Sequence, residues 1–63
     1  MDVKDILHDL RVEKGLSQSE LAEKVFVSRQ AVSRWENGET TPNPETLKRL
    51  SGIFDVSINT LPG

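Results

Sequence analysis

The chain has 63 residues, no cysteine, one histidine and a net charge of −2 at pH 7. This length allows one small domain over residues 1–63, without disulfides and without enough ligands for a zinc site. There is no run of about 20 apolar residues for a membrane span and no basic-then-apolar signal peptide, so we expect a cytoplasmic protein that carries no cofactor and no metal.

Two helices are predicted in the first 25 residues. One face of the first, over residues 2–14, carries the apolar side chains Val3, Ile6, Leu7 and Leu10. Gly15 is well suited to end this helix in the left-handed conformation. Ser17 and Glu20 have the spacing of a capping box at the start of a second helix over residues 18–25. The buried side of the second helix consists of Leu21, Ala22 and Val25.

The third helix is predicted over residues 29–37, with Ser28 as its N-cap and Gly38 after its end. Val32 and Trp35 are three residues apart and share a face that can pack against the second helix. This spacing favours a core position for Trp35 over the alternative, in which its ring stacks on a nucleic-acid base. The opposite side of the helix and its flanks carry the polar side chains Arg29, Gln30, Ser33, Arg34 and Asn37.

After a loop, Asn43 can cap a fourth helix over residues 44–54, and Pro44 fits its first position because no hydrogen bond is lost there. The buried side of this helix consists of Leu47, Leu50 and Phe54. Asp55 can end it in the left-handed conformation, and Ser57 then caps a predicted one-turn fifth helix. Three apolar residues could form either a dimer interface or part of the core: Ile53, Ile58 and Leu61. The fold class is therefore all-α, with five short helices around one core.

The second and third helices are joined by about three residues, too few for a parallel hairpin, and this predicts a sharp crossing as in a helix-turn-helix. The polar face of the third helix would then point outward, where it can enter a DNA major groove about 12 Å wide. Arginine can pair with guanine O6 and N7, and glutamine with adenine N6 and N7. On composition alone, a polar face that only meets water is an equal alternative.

The charge distribution permits a nucleic-acid partner. Residues 1–10 have a net charge of −2, whereas residues 25–38 have +1, from Arg29 and Arg34 against Glu36. Because local charge matters more than the sum, the acidic total does not exclude DNA.

The segment LRVEKGLSQSELAEKVFVSRQAVSRWENGETTPNPETLKRL resembles the Cro/C1-type, or lambda-repressor-like, helix-turn-helix family, which includes phage repressors and many bacterial regulators. The resemblance spans about residues 3–61, and its most specific parts are LSQSELAEKV and VSRQAVSRWENG. It implies a five-helix DNA-binding domain that reads double-stranded DNA with the second and third helices. It also implies a transcriptional regulator, with a repressor expected, that binds a near-palindromic operator as a homodimer.

The resemblance implies two sets of DNA contacts. Base contacts are expected from Arg29, Gln30, Ser33 and Arg34. Phosphate contacts are expected from Gln18, Ser28, Asn37 and Thr40, with Gln18 at the positive end of the second helix. Many relatives carry a basic residue directly after the glycine, where this chain has Glu39. The phosphate clamp at that end is therefore expected to be weak, or to depend on hydroxyls and main-chain N–H groups.

The resemblance also implies a bidentate pair between Arg11 and Glu36 that holds the third helix at its angle, against the alternative of a loose surface pair. His8 is expected to be a surface residue without a role. Phe26 stands where the family often has glycine, and a positive φ there would strain the residue by roughly 1 kcal/mol or more. Its ring is expected either to be exposed, next to DNA or a partner, or to fold back over the second helix.

The preferred prediction is a sequence-specific DNA-binding regulator that places the third helix in the major groove. The alternative is an antitoxin or other partner-binding regulator with the same fold. A large exposed apolar patch would indicate this alternative. An enzyme is not expected, because the sequence contains no Ser/His/Asp set, no metal-ligand cluster and no phosphate-binding loop.

Overall fold

A computed structural model of the chain describes residues 3–55, which form four α-helices: α1 (Val3–Glu13), α2 (Gln18–Val25), α3 (Arg29–Asn37) and α4 (Pro44–Phe54). These residues contain no strand, in agreement with the predicted all-α class. The bounds of α2, α3 and α4 are those predicted. α1 ends one residue earlier than predicted, and Asp2, its predicted first residue, lies outside the described residues. The predicted fifth helix, with Ser57, Ile58 and Leu61, lies outside the described residues, so the structure shows four of the five predicted helices.

Three of the helices begin at the predicted caps. The Ser17 Oγ accepts a hydrogen bond from the Glu20 main-chain N–H at 3.0 Å, and the Glu20 carboxylate accepts one from the Ser17 N–H at 2.9 Å, which completes the capping box. The side-chain oxygens of Ser28 and Asn43 accept from the main-chain N–H three residues on, at 3.1 and 2.8 Å. Each cap fixes the first residue of its helix because it satisfies an N–H that has no partner inside the helix.

A left-handed residue follows each described helix: Gly15 (φ 70°), Phe26 (φ 61°), Gly38 (φ 80°) and Asp55 (φ 54°). After the first three helices, the next main-chain N–H donates to a carbonyl five residues back, in the bonds Leu16 to Arg11 (3.1 Å), Val27 to Ala22 (3.0 Å) and Glu39 to Arg34 (2.9 Å). These are Schellman turns, which satisfy carbonyls at the helix end and reverse the chain abruptly. They explain how such short connections can link the four helices.

One apolar core holds the helices together. α3 packs against both α1 and α2, and α4 packs against α2. The buried apolar side chains are Leu7, Leu21, Ala22, Val25, Val32, Trp35, Leu47, Leu50 and Phe54. The buried positions predicted for α2, α3 and α4 are confirmed, while Ile53 is only partly buried. Because α1 and α2 cover one side of α3, its other side faces outward.

Candidate nucleic-acid interface

The outward side of α3 carries the four side chains predicted to contact bases. Arg29, Gln30 and Arg34 are exposed, and Ser33 is half-buried. Within residues 3–55, none of these four side chains takes part in a hydrogen bond or an ion pair. The opposite side of the helix is anchored by Val32 and Trp35, which are 0% and 5% exposed, so the predicted core position of Trp35 is confirmed. α3 therefore presents hydrogen-bonding groups to an external ligand without using them for its own packing.

The side chains predicted to contact phosphate lie at helix ends. Ser28 is exposed, and its Oγ accepts from the Ala31 N–H, which leaves the hydroxyl proton available to an outside acceptor. Asn37 and Thr40 are exposed at the end of α3 and beyond it, and have no hydrogen-bond partner within the described part of the chain. Gln18 is half-buried at the start of α2, where the unpaired main-chain N–H groups of a helix favour an anion.

Arg11 and Glu36 form a bidentate ion pair between α1 and α3. Arg11 Nε donates to Glu36 Oε2 at 2.7 Å, and Arg11 Nη2 donates to Glu36 Oε1 at 3.0 Å. A third donor of the guanidinium, Nη1, reaches the Leu16 carbonyl at 2.8 Å. The side chains are only 14% and 6% exposed. The planar guanidinium thus ties α1, α3 and the connection before α2 together, which is a tighter arrangement than a loose surface pair.

The Glu36 carboxylate of α3 accepts hydrogen bonds from side chains of two other helices, α1 and α2. Besides Arg11, His8 Nδ1 lies 2.9 Å from Oε1, and Gln18 Nε2 donates to the same oxygen over a longer 3.4 Å. Burial of the carboxylate disfavours its charge and raises its pKa. The hydrogen bonds from Arg11, His8 and Gln18 and the charge of Arg11 outweigh burial, so the pKa of Glu36 lies below its usual value. Glu36 is therefore ionised at neutral pH and holds donors from α1 and α2 against α3.

His8 corrects one sequence-based expectation. We expected a surface residue without a role, and the imidazole is indeed about half exposed, but its Nδ1 is bonded to Glu36. As a donor to the carboxylate, Nδ1 would carry the proton, whereas as an acceptor it would face Arg11 Nη2, which lies 3.3 Å away. His8 and Arg11 are three apart, so the sequence places them on the same side of α1, but it does not show that both side chains reach Glu36.

Phe26 occupies the turn between α2 and α3 in the left-handed conformation, with φ 61° and ψ 43°. Its side chain is 78% exposed, so of the two predicted placements the exposed one is observed. The Arg49 guanidinium of α4 lies 5.1 Å from the ring centroid, a cation–π distance, and also pairs with Glu45 at 3.1 Å. This Arg49 contact was not predicted from the sequence, because it joins side chains that are distant in the chain.

Within residues 3–55, no group of three or more acidic or histidine side chains could hold a metal ion. None of the four described helices combines the length and apolar character needed to cross a membrane.

A family model described as helix-turn-helix matches residues 7–61, and the chain belongs to this family, as its resemblance to Cro/C1-type domains indicated. It is 46% identical over 61 residues to the transcriptional activator BcrR of Enterococcus faecalis, covering 97% of this chain and 30% of BcrR. It is also 46% identical over 52 residues to the transcriptional regulator SinR of Bacillus subtilis, covering 81% of this chain and 47% of SinR. The chain thus spans less than half of the length of either relative.

Two solved structures show the same fold. The P22 c2 repressor in complex with a synthetic operator has a TM-score of 0.91 and 33% identity, over 97% of this chain and 92% of that one. SinR in complex with DNA has a TM-score of 0.84 and 38% identity, over 94% of this chain and 95% of that one. These similarities confirm the lambda-repressor-like architecture.

Proposed function

We propose that residues 1–63 form a DNA-binding domain of a transcriptional regulator that acts as a repressor. In this proposal α3 enters the major groove of a double-stranded operator. The observation that carries it is the outward face of α3, where four polar side chains have no partner in the described part of the chain, above the buried anchor Val32 and Trp35. The P22 c2 repressor and SinR are both described in complex with DNA, which supports DNA over water alone as the partner of this face.

Base recognition is assigned to the two rows of side chains on this face. Gln30 and Arg34 are four residues apart and form one row, and Arg29 and Ser33 form the neighbouring row. Arginine can make a bidentate contact with guanine and glutamine with adenine, and each good bidentate pair discriminates against a wrong base by roughly 1–3 kcal/mol. Ser33, shorter and half-buried, suits a single hydrogen bond.

Phosphate contacts are assigned to Gln18, Ser28, Asn37 and Thr40. Such contacts fix the register of a protein on DNA but do not read sequence. The bond from Gln18 to Glu36 is long at 3.4 Å, and the amide keeps a second hydrogen that can be donated to a phosphate at the start of α2. Glu36 therefore orients Gln18 without using up its donors.

We further propose that the regulator works in the cytoplasm as a homodimer on a near-palindromic operator. Two copies related by a two-fold axis would place two α3 helices in successive major grooves about one helical turn apart. The named relatives are transcriptional regulators rather than enzymes, in line with the expectation that this chain is not an enzyme.

The alternative, a regulator whose main partner is another protein, finds less support. Only two large apolar side chains, Val12 and Phe26, are exposed among the described residues, and they belong to different parts of the fold. Single exposed apolar side chains are normal on a protein surface and do not form a broad apolar patch.

Selection of bound duplexes from random DNA tests the proposal, followed by affinity measurements on the selected sequence and on a scrambled one. We expect Arg34→Ala to lose preference for the selected sequence, because it removes a base contact. Gln18→Ala should weaken binding to both duplexes by a similar factor, because it removes a phosphate contact. Lys48→Ala is the control. It also removes an exposed polar side chain, but from α4, for which no DNA contact is proposed.

Failure to enrich any sequence would contradict sequence-specific binding. A uniform loss in both variants would contradict the assignment of Arg34 to base reading. Enrichment of single half-sites without two-fold symmetry would contradict the homodimer.

A further inference from the structure

Lys4, which the sequence did not single out, lies against the C-terminal end of α3. A Cβ atom placed on Gly38 would come within 3.2 Å of Lys4 Cδ and 4.0 Å of both Cε and Nζ. The side chain is half-buried, so the lysine stem covers the glycine that ends α3. The φ of 80° favours glycine at position 38, and a Cβ there would also require the flexible Lys4 stem to move by a few tenths of an ångström.

This arrangement brings a positive charge to the end of α3. Lys4 has no ion-pair partner within residues 3–55. Two exposed carboxylates are neighbours in the chain of this contact: Asp5 directly after Lys4, and Glu39 directly after Gly38. The partial negative charge of the last carbonyls of α3 also attracts the ammonium. The lysine is therefore held in place by packing and by the helix end rather than by a bidentate carboxylate.

We propose that Lys4 supplies the cation of the phosphate clamp at the C-terminal end of α3. The ligand is a backbone phosphate of double-stranded DNA, and the inference rests on the proposed function. Asn37 and Thr40 provide neutral donors at the same end, where Glu39 stands directly after Gly38 and provides no positive charge. Lys4 reaches the end of α3 from α1. It can therefore supply the positive charge that is missing at Glu39, where the sequence predicted a weak phosphate clamp.

The test is the salt dependence of affinity for the selected duplex, measured between about 50 and 200 mM salt. We expect Lys4→Gln to reduce the slope of log affinity against log salt by about 0.9, the value for one neutralised phosphate. At about 0.1–0.15 M salt this corresponds to a loss of roughly five- to eight-fold in affinity. The loss should be equal for the selected and the scrambled duplex, and Lys4→Arg should retain most of the affinity.

Lys48→Gln is the matched control, because it removes the same charge from an exposed position on α4. Thermal unfolding of each variant separates a phosphate contact from simple stabilisation of the helix end. If Lys4→Gln lowers the unfolding temperature but leaves the salt slope equal to that of Lys48→Gln, the lysine only caps α3 and the inference is wrong. If the wild-type chain binds no duplex at all, the proposed function itself fails, and the two outcomes are distinguishable.

Discussion

Replacing Glu36 by glutamine should destabilise the domain strongly while it preserves the shape of the side chain. Removing one partner of a buried ion pair costs about 3–5 kcal/mol, because the other charge is left buried without compensation. The Arg11 side chain is 14% exposed, and an amide oxygen can still accept one hydrogen bond from it. We therefore expect a loss of about 2–3 kcal/mol, less than for a fully buried charge.

This loss is large for a chain of 63 residues. Domains of this size have a free energy of unfolding of about 3–9 kcal/mol, so the variant should unfold about 10–20 °C lower than the wild type. Urea unfolding can be followed by the fluorescence of Trp35, which is the only tryptophan and is buried. The control is Glu45→Gln, whose carboxylate is 75% exposed and pairs with Arg49, for which less than about 0.5 kcal/mol is expected.

Equal stability of the Glu36→Gln and Glu45→Gln variants would refute this reasoning. A second arm tests its cause: adding Arg11→Met to Glu36→Gln should restore part of the stability, because it removes the unpaired charge. The pH dependence of stability gives a third test. Since the pKa of Glu36 is lowered by folding, its contribution is complete above its ordinary pKa and is lost as pH falls through the lowered value. Wild type should therefore lose more stability than Glu36→Gln between neutral and strongly acidic pH.

Three further substitutions test the core, a cap and a helix end. Leu50→Ala should cost about 2–5 kcal/mol in urea unfolding because Leu50 is fully buried, while Val12→Ala, at an exposed position, should change stability little. Ser17→Ala should cost about 1 kcal/mol because it removes the capping box of α2. Thermal unfolding followed by circular dichroism measures this loss, and a midpoint equal to that of wild type would contradict it. Gly38→Ala should cost about 1–2 kcal/mol through its positive φ, and an unfolding free energy equal to that of wild type would show that the turn relaxes freely.

The helix bounds could be predicted because they depend on signals only a few residues apart. Ser17 with Glu20, Ser28, and Asn43 with Pro44 fix the helix starts by local hydrogen bonds, and the structure shows each of them. The buried positions followed from apolar spacing, since one side of each helix must face the core. Such local information is sufficient for the four described helices.

The contacts between distant side chains could not be predicted in the same way. Glu36 was expected to pair with Arg11, but the approach of His8 and Gln18 to the same carboxylate depends on how α1, α2 and α3 meet. The stacking of Arg49 on Phe26 depends on the rotamers of two side chains 23 positions apart. The four outward residues of α3 were predicted from its period, but the assignment of each to a base or a phosphate remains a prediction.

The separation between the two sides of α3 has a consequence for how new specificities arise. Arg29, Gln30, Ser33 and Arg34 contribute no internal hydrogen bond or ion pair among residues 3–55, whereas Val32 and Trp35 carry the packing. Exchanging the three exposed residues, Arg29, Gln30 and Arg34, therefore leaves the interior untouched, whereas Ser33, which is half-buried, is less free to change. A library randomised at Arg29, Gln30 and Arg34, with proline left out, should contain mostly folded members, from which domains for different targets could be drawn.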